Sequence, residues 1–257
     1  MKPVRARFAG SGIAVPPRII DNPTSARVLE TDDAWVRERS GVVERRYVEA
    51  GVASSDLGAE AARAALADAR MEPQEIDYIV CATMTPDHFF PGCGTILQQK
   101  LGLRPIPALD IRQQCAGFAY GLQMVDALIR SRIARNVLLV GTDVHTSLMP
   151  FSQRTWAVLE GREEGPISAE EFAWNSRFRH LLVLFGDGAG AMVFRASEED
   201  DGRGILGARL YGDGNHQDIL TVPGLGSSRR PFVTAEQIAA GETVPVMDGR
   251  KVFKLAV

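Results

Sequence analysis

Apolar positions in this chain recur with two different periods. The run Ile76-Asp77-Tyr78-Ile79-Val80-Cys81-Ala82-Thr83 is almost continuously apolar and β-branched, the pattern of a strand buried on both faces. Residues 136–141 repeat it, and shorter strand-like runs cover 4–14, 106–111, 181–185, 192–194 and 205–210. Between these runs the spacing turns helical. Ser54-Ser55-Asp56 caps a predicted helix to about residue 70, with Leu57, Ala61, Ala64 and Ala67 on one stripe. Thr31-Asp32-Asp33-Ala34-Trp35 carries an N-cap signal for a short helix containing Arg37, Glu38 and Arg39. Further helices are expected over about 94–101 and 116–134, the second opened by Cys115. Strand–helix alternation of this kind predicts an α/β fold with a mostly parallel, helix-covered sheet.

Two stretches interrupt the rhythm. Residues 149–179 hold Glu160, Glu163, Glu164, Glu170 and Glu171 beside Gly161, Gly165 and Pro166. They read as a surface excursion with some helix, and long excursions in compact domains tend to be functional or mobile. Residues 223–244 read as a Gly/Ser/Pro-rich loop with a helical patch, and a helix starts after Met247. The apolar run Phe253-Lys254-Leu255-Ala256-Val257 has neither cap nor breaker, so further chain is expected beyond it.

Composition narrows the class. Of 257 residues, 45% are hydrophobic and 24% charged, which excludes a disordered chain, a collagen-like repeat and a coiled coil. With 29 Lys+Arg against 32 Asp+Glu, no polyanionic partner such as nucleic acid is implied. No apolar run approaches the roughly 20 residues of a membrane helix. Met1-Lys2-Pro3-Val4-Arg5 leads into a strand with no apolar leader, so a cytoplasmic protein is expected. Three cysteines without C-x-x-C spacing and four scattered histidines support neither a disulfide framework nor a metal site.

Cys115 is the strongest chemical candidate. In Asp110-Ile111-Arg112-Gln113-Gln114-Cys115-Ala116-Gly117-Phe118 a strand ends and a helix begins at the thiol. A helix N-terminus favours the thiolate form of a cysteine, and Ala116 and Gly117 leave room for an acyl group. An inert buried cysteine is the competing reading; Cys81 and Cys93 are read that way. Gly186-Asp187-Gly188-Ala189-Gly190-Ala191 lacks the Lys-Ser/Thr of a phosphate loop and reads as a tight turn between two strands. Trp35 with Arg37, Arg39, Arg45 and Arg46 is either a solvated face or a site for an anionic, adenine-bearing ligand. His88 and His180 read as structural, and His145, past a strand end, stays open.

These pieces together resemble β-ketoacyl-acyl carrier protein synthase III, a thiolase-fold condensing enzyme. The ordered matches are Gly10-Ser11-Gly12 with Pro16, Thr31-Asp32-Asp33-Ala34-Trp35 and Arg39-Ser40-Gly41-Val42-Val43-Glu44-Arg45. Then come Ala82-Thr83 with Phe90-Pro91, Cys115-Ala116-Gly117-Phe118 and Phe185-Gly186-Asp187-Gly188-Ala189-Gly190-Ala191, and last Asp213-Gly214 and Val252-Phe253-Lys254. The resemblance covers nearly the whole chain except about 149–178. It implies a thiolase-like mixed sheet, with 1–198 as the N-terminal half and 199–257 as the start of the second half.

The resemblance also assigns roles. Cys115 becomes the acyl-accepting nucleophile, while Trp35, Arg39 and Arg179 contact the coenzyme A nucleotide. Phe90 reaches into the partner's acyl pocket in a homodimer. The reaction implied is acyl transfer from acyl-CoA to Cys115, then decarboxylative condensation with a malonyl thioester on acyl carrier protein, with no cofactor beyond the acyl-CoA substrate. Two departures accompany it. The family's His-Gln-Ala-Asn-like and Gly-Asn-Thr-like runs do not occur among these residues, and none of His88, His145, His180 or His216 stands at the matching place. These residues alone are therefore expected to condense poorly. Arg112 and Gln114 stand where small residues are usual, which points to a different acyl substrate or carrier. The alternatives are acyl transfer to oxygen or nitrogen without condensation, and a non-catalytic subunit pairing with a complete synthase.

Overall fold

The computed structural model describes residues 4–199 and 201–256. Met1, Lys2, Pro3, Asp200 and Val257 lie outside it, and with them the expectations placed on the opening residues and on the last one. Along the chain, strands β1 (Arg5–Ala14) and β2 (Arg18–Asp21) precede helices α1 (Asn22–Ala26) and α2 (Asp33–Ser40). Strand β3 (Glu44–Tyr47), helix α3 (Ser54–Ala69), strand β4 (Tyr78–Ala82) and helix α4 (Cys93–Lys100) follow. Then come β5 (Ala108–Ile111), α5 (Gly117–Arg130) and β6 (Asn136–Asp143). Helices α6 (Gln153–Leu159), α7 (Ala169–Arg177) and α8 (Arg179–Leu182) lead to β7 (Gly188–Ser197). The last stretch holds β8 (Leu220–Thr221), α9 (Ala235–Ala240), β9 (Val246–Met247) and α10 (Gly249–Ala256).

These elements form two compact units. The first takes the described parts of Met1–Pro17, Val48–Val144 and Asp187–Tyr211; the second takes those of Arg18–Tyr47, His145–Gly186 and Gly212–Val257.

The first unit is built on a five-stranded sheet in the order β1-β7-β6-β4-β5. Strands β4, β5 and β6 run parallel, and β7 pairs antiparallel with both β1 and β6. Alternation along each strand sorts side chains into two cores. Ile79, Cys81, Leu138, Val140 and Val193 share one core with α3 and α4 residues. Val80, Val137, Leu139 and Phe194 share the other with Val125, Leu128 and Ile129 of α5. Burial on both faces explains the unbroken apolar runs of β4 and β6. Helix α3 lies very close to β1: a Cβ on Gly10 would stand 2.3 Å from Ala69 N, and one on Gly12 2.3 Å from Ala61 O. The buried face of α3 is therefore Leu57, Ala61, Ala62, Ala65, Leu66 and Ala69. Ala64 and Ala67, expected on that stripe, are exposed; the helix turns at 3.6 residues, and the expected spacing drifted off the buried side.

The second unit has its own core. Ile20, Val28, Leu29, Val36 and Tyr47 pack with Val158, Leu159, Ile167, Phe178, Leu181 and Leu182, flanked by Trp156, Phe172 and Trp174. Residues 149–178 are thus no mere surface excursion. They form two helices that supply much of this core, with Glu163, Glu164 and Glu170 exposed and Glu160 and Glu171 half-buried.

Three strand expectations are corrected. Residues 181–185 continue α8 and a turn, not a strand, since a short apolar run has no period that separates buried helix from strand. Residues 188–191 lie inside β7, where small residues fit between two flanking strands. Residues 205–210 form no strand; Ile205 N–H bonds Ala6 O, and Leu206 is 68% exposed.

Candidate active site

Strand β5 ends at Ile111, and the chain enters a short 3₁₀ turn, Gln114–Ala116, that carries Cys115 immediately before α5. The cysteine thus sits in the turn feeding the helix, two residues ahead of its first helical residue rather than within it. Cys115 is exposed and its thiol is free. Gln114 before it holds φ at +43°, a left-handed conformation that costs a residue with a Cβ roughly 1–2 kcal/mol. No side chain caps the N-terminus of α5; the preceding turn covers it instead, with Gly117 N–H bonded to Gln114 O and Ala116 N–H to Gln113 O. Gly117 lets this helix start against β4, since a Cβ there would stand 3.2 Å from Ala82 Cβ. Strand end and strained turn hold the Cys115 thiol outward.

The segment before α4 presents Phe90. Its base is tied down by carboxylates. Asp143 Oδ1 accepts from Thr83 Oγ1 (3.1 Å), Met84 N (2.8 Å), Thr85 N (3.2 Å) and Thr85 Oγ1 (3.0 Å). Asp87 accepts from Ser55 N at 2.9 Å, and Asp110 caps α4 through Cys93 N (2.5 Å) and Gly94 N (2.7 Å). At the tip Phe90 is 80% exposed and the Phe90–Pro91 bond is cis. Cys81 and Cys93 are fully buried. A hydrogen bond with Cys93, reinforced by burial, pushes the Cys81 thiol well above the usual range, which suits inert packing.

In the second unit the arginine–aromatic cluster is real but differently composed. Asp32 caps α2 by accepting Trp35 N–H at 2.7 Å. The Arg39 guanidinium lies 4.7 Å and that of Arg179 4.9 Å from the Trp35 ring centre. Trp35, Arg39 and Arg179 therefore meet, although Arg179 is 144 positions from Trp35 in the sequence. The other basic residues do not join them. Arg37 pairs with Asp33 and Arg46 with Glu44. Arg45 is buried, donating from Nε to Val183 O at 2.8 Å and from Nη1 to Asn22 Oδ1 at 2.7 Å; burial lowers its pKa from the ordinary value. It is a core strut, and Asn22 passes the bracing on to Asp33 Oδ1 (2.8 Å) and Val42 O (2.9 Å) around α2.

His180 lies in α8 rather than before a strand. Burial, with the Arg179 charge beside it, lowers its pKa, and its Nε2 has no hydrogen-bond partner among the described residues. His145 stacks on Phe185 at 4.3 Å and 9°. It lines a small cavity with Leu148, Met149, Leu181, Leu182, Val244 and Pro245. The carboxylate of Asp187 accepts Val48 N–H at 2.8 Å, a structural role for the Gly-rich 186–191 stretch. Among the described residues no cluster of His, Cys, Asp or Glu is arranged to hold a metal, and no helix is long and apolar enough to cross a membrane. The Asp143 and Asp110 anchors and the Asn22–Arg45 pair escaped the sequence reading, because an isolated Asp or Asn carries no sign of its distant partners.

Comparison with known proteins converges on one family. The family model for 3-oxoacyl-[acyl-carrier-protein] synthase III matches residues 109–161 and 167–214. The β-ketoacyl-[acyl-carrier-protein] synthase III of Rhodospirillum rubrum is 40% identical over 98% of this chain and 68% of its own. Among solved structures, the 3-oxoacyl-(acyl carrier protein) synthase III of Pseudomonas aeruginosa superposes with a TM-score of 0.76 at 30% identity, covering 98% of this chain and 66% of that one. A priming β-ketosynthase from the R1128 polyketide pathway gives 0.77 at 26% identity over 99% and 66%.

Proposed function

The chain belongs to the β-ketoacyl-acyl carrier protein synthase III family of thiolase-fold acyltransferases, and from that premise we propose that Cys115 is its acyl-accepting nucleophile. The Cys115 thiolate attacks the carbonyl of an acyl-CoA, the C–S bond to coenzyme A breaks, and the acyl group remains on Sγ. A malonyl thioester on acyl carrier protein then loses CO₂. Its carbanion attacks the acyl-enzyme carbonyl, releasing a 3-ketoacyl thioester and the free thiolate. Trp35, Arg39 and Arg179 hold the nucleotide end of the donor: the indole offers a face to adenine and the guanidiniums offer charge to phosphate. Phe90 projects from its braced loop toward the acyl pocket of a second copy in a homodimer. Residues 1–198 form the first thiolase-like half with 149–178 inserted, 199–257 begin the second half, and the protein works in the cytoplasm with no metal.

The exposure of Cys115 at the strained β5–α5 turn carries this reading. Intact-mass measurement after incubation with acyl-CoA is expected to show one acyl adduct on Cys115 and none in Cys115→Ser. An unmodified Cys115 would instead favour a non-catalytic subunit. Condensation by these 257 residues is expected to be slow, because the histidine and asparagine implied by the resemblance are not among them. Each missing oxyanion donor costs on the order of 10²–10³-fold. Rapid formation of a 3-ketoacyl thioester from malonyl thioester would overturn that expectation.

A further inference from the structure

Helix α7 is bonded to the segment that leads into Trp35, which the acyl-transfer chemistry does not explain. The last turn of α7, which ends at Arg177, carries Asn175 and Ser176. Asn175, only 1% exposed, donates from Nδ2 to Val28 O at 3.0 Å. Ser176 Oγ accepts Glu30 N–H at 2.8 Å and donates to Phe172 O at 2.6 Å, so its donor and an acceptor site are both committed. Arg179 returns to the same place, donating from Nη1 to Glu30 O at 3.1 Å while its guanidinium lies on Trp35. Two residues after Glu30 comes Asp32, the cap of the helix that carries Trp35.

Helices α6 and α7 are also locked to each other. Asn175 Nδ2 reaches Thr155 Oγ1 of α6 at 3.3 Å. Ser152, the N-cap of α6, bonds to Glu171 of α7, and Ser168 caps α7 in a reciprocal box with Glu171. Glu171 is held below the usual carboxylate range by its hydrogen bonds, that from Ser152 first. A rigid element from one part of the sequence thus grips a connection that has no ladder of its own.

We propose that Ser176 and Asn175 are positioning residues for the nucleotide end of the donor. By fixing the backbone at Val28 and Glu30, they set where Arg179 is anchored relative to the Trp35 ring. An exposed arginine loses rotamer freedom when it binds, and a fixed carbonyl that holds it in advance reduces that loss. The inference rests on Trp35, Arg39 and Arg179 being the nucleotide contacts.

Calorimetric titration of the 257-residue chain with CoA and with pantetheine, which lacks the nucleotide, tests it. Ser176→Ala is expected to weaken CoA binding about three- to tenfold, the range of one lost hydrogen bond, and to leave pantetheine binding unchanged. Ser176→Thr, which keeps the hydroxyl, is expected to restore it. In an Arg179→Gln background Ser176→Ala should cost no further CoA affinity. Unchanged CoA affinity in Ser176→Ala overturns the proposal. So does an equal loss for both ligands, or an undiminished loss in the Arg179→Gln background. Wild-type protein that binds CoA no more tightly than pantetheine overturns the nucleotide reading, and this proposal with it.

Discussion

Cys115 and Trp35 are carried by two different kinds of scaffold. In the first unit, side chains alternate across a sheet buried on both faces, and the buried residues are mostly Ala, Val, Leu and Ile. The turn bearing Cys115 follows directly from β5 and runs directly into α5, so its placement depends on neighbours in the chain. In the second unit an aliphatic core is flanked by partly buried aromatic side chains, and the α2 surround is held by polar bonds between segments far apart in sequence. Arg45 reaches Val183 across 138 positions, and Glu30 reaches Ser176 across 146. Apolar packing is non-directional and tolerates small shifts. A hydrogen-bonded brace fixes geometry and leaves costly unpaired groups when one member goes. The Cys115 thiol is therefore held by burial beneath it, and the arginine–indole cluster by a network around it.

Four measurements can break or sharpen this contrast. The largest effect is expected in the sheet. Leu139 is fully buried between β6 and α5, so Leu139→Ala should destabilise the protein by about 2–5 kcal/mol in urea unfolding. Arg45→Ala comes next, at roughly 1–3 kcal/mol for the acceptors it strands. Its signature should be faster hydrogen exchange around α2 and α8, with the β4 and β6 amides unaffected. Loosening of the sheet by Arg45→Ala would show that the two units do not respond separately. Ser168→Ala, removing the α7 cap, should cost about 1 kcal/mol and raise exchange in α7; an unaltered α7 would mean the core alone holds the helix.

The smallest effect is in acid. The pKa of His180 is lowered by burial from its ordinary 6.5, so the unfolded chain takes up a proton that the folded chain refuses. Its contribution is fully present above about pH 6.5 and fades as pH falls below that value. Glu171, lowered from 4.5 by its serine partners, contributes stability above that value, which is lost as pH falls through its folded pKa. The second unit should therefore loosen in stages between pH 6.5 and acid. In His180→Gln the loss between pH 7 and pH 5.5 should shrink; an identical loss would rule His180 out as its source.

The same contrast explains what could be read before the structure. β4 and β6 were legible because burial on both faces leaves an unbroken apolar run. The start of α2 was legible because Asp32 is a local cap. Cys115 stood out because strand end, cysteine and small residues adjoin in the chain. Trp35 and Arg39 lie one helical turn apart, so their meeting needs no long-range information. The capping box Ser168–Glu171 is also written in the local sequence, although the surrounding glutamates and glycines read as a surface excursion with some helix.

Other features had no local trace. Residues 181–185 are apolar whether they form helix or strand; packed in the second core, Leu181 and Leu182 complete α8 and the chain then turns. Arg45 looked like one more basic residue of a surface cluster until Asn22 and Val183 closed around it. Nothing in Asn175 or Ser176 announces that Val28 and Glu30 lie within hydrogen-bond reach. Periodicity and caps are properties of a few consecutive residues, so the doubly buried strands β4 and β6 and the capped start of α2 are specified by the chain on its own. Which donor meets which acceptor more than a hundred residues away depends on how the elements pack, and that packing is what brings Arg179 to the Trp35 ring and sets the end of α7 against the backbone at Val28 and Glu30.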